Sequence, residues 1–464
     1  MNFKNTRFKK TKIIATMGPT FSTYEESVKM FKAGVNVVRL NTSHGVVEDH
    51  APRLKAAKKA AKDLNLPITF MLDTKGPEIR IGKIDGKLKV DSGDELILDP
   101  GKEFISNSNT IWINYKDVAS VVKKGTEIMF DDGKLTTVVK KVENGLVYVE
   151  ALNPHYLTST KGVNIPSSKL NLPFLSKHDK TMILWGIKEK VDIIAASFVR
   201  TEADVKQLRS FLDKNGGEKI MIQSKIESRE GIENINEIFI HSDSIMLARG
   251  DLAVEIPYYE VPFYEKILIQ KARSFGKQIV IATQMLDSMI DNPKPTRAEV
   301  TDVYYATQSG ADATMLSGES ANGNFPVESV NVMANINREA EQNFDYLLAF
   351  ETGLSYSVSS NSSMAYKIAK KTLTSDSSVI IAFSKNGKLI EALSSLRPNG
   401  VIMAMLGEKD MVSKFGCHYG VYAKYEPNAK IYDDNKKIKA LAKEMGIFGN
   451  VIVANKNEFK VVKV

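Results

Sequence analysis

The sequence predicts an α/β protein built on a (β/α)8 barrel, with two further units attached. Three observations predict it. Short apolar, β-branched runs recur eight times along the first 320 or so residues. Stretches with helical periodicity separate most of them. One interval, roughly Arg80 to Thr181, is far too long for a single helix and reads as strands and tight turns.

The runs are Lys12–Met17, Asn36–Asn41, Ile68–Asp73 and Asp192–Phe198, followed by Ile220–Lys225, Ser244–Arg249, Gln278–Thr283 and Ala313–Ser317. They are almost continuously apolar rather than alternating, which is the pattern of strands buried on both faces of a parallel sheet. Helix signals lie between them. Ser22-Thr23-Tyr24-Glu25 reads as a capping box, and Gly34 stops that helix before the second run. Thr296-Arg297-Ala298-Glu299, after Pro295, opens another helix that Gly310 ends. Eight such repeats give the TIM-barrel architecture.

The long interval carries Asp85-Gly86, Asp132-Gly133 and Asn144-Gly145, dipeptides that favour hairpin turns. It is expected to be a small all-β unit, a β-barrel, inserted over the barrel mouth as a lid. After about Glu341 the pattern changes again. A serine-rich stretch, Ser355–Ser363, precedes a helical segment, Met364–Leu373, and then strands and helices alternate. The expected division is residues 1–79 and 167–340 for the barrel, 80–166 for the insert and 341–464 for a C-terminal α/β unit.

Composition excludes several classes of protein. The 464 residues are 43% hydrophobic and 25% charged, as in ordinary globular chains. No apolar run reaches the ~18 residues of a membrane span, and the basic N-terminus lacks the apolar core of a secretory signal. The one cysteine, Cys417, fits a reducing cytoplasm. The net charge of +8 fits anionic small substrates. No RNA- or DNA-binding signature occurs, so neither nucleic acid nor membrane is expected as a partner. The histidines show no zinc-binding spacing, and neither a Walker A nor a dinucleotide fingerprint occurs.

What ends each run carries the chemistry, because residues at the carboxyl ends of barrel strands gather at one mouth. The second run ends in Arg39, Asn41, Ser43 and His44, and the third in Asp73, Thr74, Lys75 and Glu78, with Arg80 behind. The fifth ends in Lys225 and Glu227, the sixth in Arg249, Gly250 and Asp251, the seventh in Thr283 and Gln284, and the eighth in Ser317, Gly318 and Glu319. Glu227 and Asp251 are hard oxygen ligands suited to Mg²⁺. Lys225, two residues from Glu227, points to the same side of its strand. There it can stabilise charge on a moving phosphoryl group or an enolate. Arg39 and Arg80 supply donors for phosphate oxygens, and Gly250 lets backbone N–H groups approach a small anion. Asn41, Ser43, Asp73 and Thr74 offer one formal charge and several neutral oxygens, a set better suited to a monovalent than a divalent cation. Taken singly, each of these residues reads as readily as a solvated or ion-paired surface group; together they read as a site.

These stretches resemble the pyruvate kinase family. The matching motifs are TKIIATMGP, GVNVVRLNTSHG, MLDTKGPEIR, FDDG, SDSIMLARGDLAVEIP, IATQMLDSMI, PTRAEVTDV and MLSGESANG, which span residues 11 to about 330 in the family's order. The resemblance implies phosphoryl transfer from phosphoenolpyruvate to ADP, the last step of glycolysis, with Mg²⁺ (or Mn²⁺) and K⁺ as cofactors and a homotetramer as the assembly. It implies that Glu227 and Asp251 hold the divalent metal and that Lys225 and Arg39 hold the phosphoryl group. Gly250, Asp251 and Thr283 would hold the substrate carboxylate, and Asn41, Ser43, Asp73 and Thr74 the potassium ion. Asn41, His44, Arg80, Asp132 and His178 fall on the nucleotide side. Glu78 falls where glutamate accompanies potassium dependence. Thr283, Ser317 and Glu319 are the candidates for carrying a proton to the enolate.

Three departures from the family pattern stand out. NFSHG reads NTSHG, with Thr42, a change expected to be neutral. The segment Ser176-Lys177-His178-Asp179 has His178 in place of a nucleotide-contacting lysine. The effector loop is Ser384-Lys385-Asn386-Gly387-Lys388-Leu389, depleted of the family's hydroxyls, so activation by fructose 1,6-bisphosphate is expected to be weak or absent. Two other readings compete, a magnesium-dependent enolate lyase on a barrel and a non-catalytic or RNA-binding paralogue. The insert with Asp132 disfavours the first. The intact Arg39, Lys225, Glu227 and Asp251 disfavour the second.

Overall fold

The computed structural model describes residues 8–166, 168, 170–354, 360–375, 377 and 379–464. The eight apolar runs form a closed parallel barrel. Its strands are β1 (Lys12–Thr16), β2 (Val37–Asn41), β3 (Thr69–Asp73), β4 (Ile193–Ala196), β5 (Met221–Ile226), β6 (Ser244–Ala248), β7 (Gln278–Ala282) and β8 (Ala313–Leu316). Each pairs with its neighbour in sequence, and β8 returns to β1 through Lys12↔Ala313 and Ile14↔Met315.

The continuous hydrophobicity of the runs has a simple origin. Alternate residues face opposite sides of a strand, and both sides here are dry. Ile14, Val37, Met71, Ile193, Met246 and Val280 fill the barrel interior. Ile13, Val38, Leu72, Ile194, Ile245 and Ile279 pack outward against the helices.

The helix signals hold, with one shift. The helix Tyr24–Ala33 is capped by Thr23 with Glu26, one residue later than the Ser22–Glu25 box expected. Two overlapping boxes were available. The later one prevails because the Glu26 carboxylate accepts from the N–H of both Ser22 and Thr23, at 2.8 and 2.9 Å. Gly34 ends this helix at φ 125°, and Thr296 with Glu299 caps Arg297–Gln308.

Between β3 and β4 the chain leaves the barrel for a seven-stranded sheet. Its edge strands, Ile79–Arg80 and Thr110–Trp112, are joined by the Ile81–Ile113 bridge and by Gly82 N–H to Trp112 O at 2.8 Å, so the sheet closes on itself. It encloses its own core, with Leu98, Ile111, Phe130, Val147 and Val149 fully buried. Asn144 and Gly145, at φ 52° and 79°, make the two-residue hairpin turn expected of them. The insert is not entirely β, since Val118–Val121 forms one helical turn.

The last third contains a five-stranded sheet in the order Val421–Tyr425, Val401–Leu406, Val379–Ser384, Asn450–Ala454, Phe459–Lys463, parallel except for the final strand. The serine-rich stretch lies partly outside the described residues; its last residues open the helix Ser360–Leu373. The segment before Val421 closes the lower end of the barrel. Cys417 is buried against the barrel interior, and Thr69 donates to Ser413 O. Gly416 sits so close to Thr69 and Val37 that a Cβ there would overlap them. Arg397 pairs with Asp312 at 2.8 Å with both side chains buried. Among the described residues, no helix is long and apolar enough to cross a membrane.

Candidate active site

The upper ends of the strands converge on a buried charged cluster. Asp73 ends β3 with no exposure to solvent. Its Oδ2 pairs with Arg39 Nε at 2.6 Å and its Oδ1 with Lys225 Nζ at 3.1 Å. Arg39, from β2, also donates to Thr16 Oγ1 of β1 at 3.0 Å. Lys225, from β5, reaches Glu227 Oε1 at 2.9 Å and donates to Ser197 Oγ at 2.7 Å. The period of two along the strand thus does place Lys225 and Glu227 on one side. Glu227 Oε2 accepts from the Phe198 N–H at 2.7 Å. Phe198 is held at φ 54°, a conformation that a bulky residue adopts only when its surroundings enforce it.

Charge sets the behaviour of each group. Burial alone would raise the Asp73 carboxyl, but Arg39 and Lys225 outweigh it and hold the group below its ordinary value. Burial opposes the charge of Lys225, yet Asp73 and Glu227 more than compensate, so its ammonium is retained. Glu227 is different. Burial, with Asp251 and Asp73 nearby, pushes it up to about 7 despite Lys225. Asp251 is raised by burial too, against the pull of Lys225. Two adjacent carboxyls that resist ionising together suit a cation. Glu227 Oε1 fits that role further, since it is buried and ion-paired but accepts no directed hydrogen bond.

The neutral oxygens come from the residues around Asp73. Asn41 and Asp73 are register partners on β2 and β3, and Asn41 Oδ1 accepts from Ser43 N at 3.2 Å. Ser197 Oγ donates to Thr74 O at 2.7 Å, and Thr74 Oγ1 accepts from Ser197 N at 3.0 Å. Thr42 stands beside them. It is fully buried, and both its N–H and its hydroxyl donate to Asp73 O, at 3.0 and 2.7 Å. A phenylalanine side chain has no hydroxyl to make the second bond.

Across the mouth, Thr283 follows β7 at φ 73° with Gln284 at 53°. This turn directs Thr283 Oγ1 beneath the short helix Arg249–Glu255, where it accepts from Gly250 N at 2.7 Å. The Gly250 N–H read as open to an anion is therefore engaged by Thr283. Arg249 fixes the turn by donating to Thr283 O at 2.8 Å while pairing with Asp302 and Glu265. Glu319, after β8, is buried, and its two oxygens accept from Leu286 N and Ser317 N at 3.0 and 2.7 Å. Burial raises its carboxyl, and those backbone donors oppose the rise.

Between the mouth and the inserted sheet lies a cleft of about 510 Å³. His44, Glu78, Arg80, Asp132 and Asp251 all line it. Asp131, Asp132 and Gly133 run through consecutive positive φ values, and the neighbouring Asn164 donates to Glu255 at 3.0 Å. Glu78 pairs with Arg80 at 2.8 Å and Lys75 at 3.7 Å. His178 lines a neighbouring groove with Val46, Glu48 and Lys177.

Some residues of the site carried no role in the sequence reading. Ser197 links Lys225, Asp73 and Thr74. A signal for it exists, since its hydroxyl lies one residue before the end of the fourth run, where the other runs carry polar groups. Arg249 stands at a run end with no partner visible in the sequence, because Glu265 and Asp302 lie on later helices. Lys161, paired with Asp131 at 2.8 Å, gave no signal.

The family model for the barrel domain of pyruvate kinase matches residues 8–330. The chain belongs to the pyruvate kinase family. Pyruvate kinase of Clostridium acetobutylicum is 40% identical over 89% of this chain and 88% of its own. Pyruvate kinase of Mycoplasma genitalium is 38% identical over 89% of each. The crystal structure of a pyruvate kinase from Cryptosporidium parvum superposes with a TM-score of 0.93 at 33% identity, covering 100% of this chain and 97% of that one. The similarity to pyruvate kinases thus extends through the insert and the C-terminal sheet.

Proposed function

We propose that the charged cup formed by Arg39, Asp73, Lys225, Glu227 and Asp251 is where this enzyme carries out the pyruvate kinase reaction. The enzyme transfers the phosphoryl group of phosphoenolpyruvate to ADP, giving pyruvate and ATP. The observation that carries the assignment of the site is the position of Lys225, a buried ammonium held between Asp73 and Glu227.

Transfer of a phosphoryl group leaves little covalent work for protein side chains and demands positive charge around a migrating anion. Lys225 and Arg39 supply it, and Asp73 fixes both in place. Glu227 and Asp251 would hold the divalent cation, which supplies charge neutralisation to the substrate oxygens when bound. Asn41, Ser43, Asp73 and the Thr74 carbonyl would hold K⁺. ADP enters the cleft lined by His44, Arg80 and Asp132, and the inserted sheet acts as the lid that excludes water. The bond from phosphorus to the enol oxygen breaks as the bond to the ADP oxygen forms, leaving an enolate. Thr283, Ser317 and Glu319 are the candidates for carrying a proton to that enolate. Assembly as a homotetramer completes this reading.

A coupled assay for ATP formation from phosphoenolpyruvate and ADP tests it, run with and without Mg²⁺ and K⁺. Turnover that requires both cations supports the assignment. Turnover unchanged by removing the divalent cation would sink it.

A further inference from the structure

His178 and Asp179 occupy the first turn of the helix Lys177–Lys188, which begins where the chain returns from the inserted sheet. Neither touches the charged cup, yet each grips a loop that carries part of it. His178 Nε2 lies 2.7 Å from Thr42 O. A carbonyl oxygen only accepts, so the ring carries its proton on Nε2. Thr42 sits between Asn41 and Ser43. Its own N–H and hydroxyl already bind Asp73 O, so the His178 bond satisfies the remaining polar atom of that residue. Asp179 is 1% exposed and divides its carboxylate. Oδ2 closes the capping box with Ser176, at 2.6 Å from its hydroxyl. Oδ1 accepts from Lys75 N and Gly76 N at 2.9 and 3.3 Å, the residues that follow Asp73 and Thr74.

One helical turn therefore holds both loops that bear the neutral oxygens, through side chains adjacent in sequence. We infer that His178 and Asp179 are positioning residues for the potassium ring, pre-arranging Asn41 and Ser43 on one side and Asp73 and Thr74 on the other. This rests on the reading of those four residues as the K⁺ site. The physical reason is preorganisation. A monovalent cation gains little from each neutral oxygen, so donors that must first be ordered bind it poorly, and outer partners of a metal site tune affinity for that reason. His178 spends its Nε2–H on Thr42, whereas a lysine there would present a flexible charge in the same groove.

The test uses the full-length protein, titrated with KCl at constant ionic strength against tetramethylammonium chloride. Two quantities are followed: the K⁺ dependence of the thermal unfolding midpoint, which needs no turnover, and the K⁺ dependence of the steady-state rate. His178→Ala should raise the half-saturating K⁺ concentration by about tenfold in both. His178→Gln, whose amide can donate to the same carbonyl, should recover most of the wild-type value. Unfolding midpoints without K⁺ should agree among the three proteins. An unchanged K⁺ midpoint in His178→Ala overturns the inference. So does a uniform loss of stability at every K⁺ concentration, which marks a merely structural role. If the wild type itself ignores K⁺, the potassium reading fails instead, and the two failures are distinguishable.

Discussion

Lys225 and Glu227 form an ion pair of 2.9 Å at the top of β5, with the lysine side chain 9% and the glutamate 1% exposed. On the proposed reading the pair joins two chemical tasks, one partner facing a moving anion and the other a cation. Lys225→Met should cut kcat by roughly 10³-fold while leaving phosphoenolpyruvate binding largely intact, because Arg39 and the carboxylate-binding face remain. Rate and binding isotherm measured together check this, and a near wild-type kcat would remove Lys225 from its assigned role.

Ser197 bonds both Lys225 Nζ and the Thr74 carbonyl. Ser197→Ala removes one of three partners of the ammonium and leaves Asp73 and Glu227 to hold it. We predict a fall in kcat of about tenfold, with KM for phosphoenolpyruvate changed less than kcat. A larger effect on KM than on kcat would contradict it.

Glu227 is pushed up to about 7 by burial and by Asp251 and Asp73. Below that pH the proton competes with the divalent cation for the same oxygens. Half-saturating Mg²⁺ should therefore rise as pH falls from 8 to 6, approaching about tenfold per pH unit below 7. Metal titrations at fixed pH, in the absence of turnover, give the slope directly. Affinity independent of pH would refute Glu227 as a ligand.

His418 predicts an acid limb in stability. It is buried beneath the barrel, which lowers its pKa to about 3 from an ordinary 6.5. The folded protein keeps it neutral, and the unfolded chain protonates it. From pH 6.5 downward the unfolded state holds the additional proton, so stability falls as pH falls, by about 1.4 kcal/mol per unit. The loss continues down to about pH 3. Denaturant midpoints across this range should show a shallower slope for His418→Gln than for the wild type.

The effector loop makes its own contacts. Ser384 Oγ accepts from Gly387 N at 3.1 Å, and Asn386 Oδ1 from Lys388 N at 3.4 Å. With the family's hydroxyls depleted there, the saturation curve for phosphoenolpyruvate should move little or not at all when fructose 1,6-bisphosphate is added. A strong leftward shift would show that Lys385 and Lys388 replace the missing hydroxyls.

The barrel was legible because its signal is local. Each run is apolar on both faces, and the sequence alone displays that. The charged ends of the runs were legible for a related reason, since a barrel gathers the strand tips of residues as distant as Arg39 and Asp251. Bonds that depend on the return path of the chain were not legible. Nothing in Thr42 or His178 announces that they meet, because 136 residues and an entire inserted sheet separate them. The capping box shifted by one residue for the opposite reason, as two local solutions competed and a single carboxylate decided between them. Arg249 was visible as a charge and invisible as a clamp, because its partners sit on other helices.

The lower end of the barrel is stoppered by the chain's own last third. Cys417 sits among the interior side chains, Gly416 presses on Thr69, and Arg397 neutralises Asp312. Amputating that third would leave Ile14, Met71 and Val280 facing water and strand a buried carboxylate without its counter-ion. The eight strands are in this sense a column fastened at its foot, with Arg39, Asp73 and Lys225 at the opposite ends of the same strands.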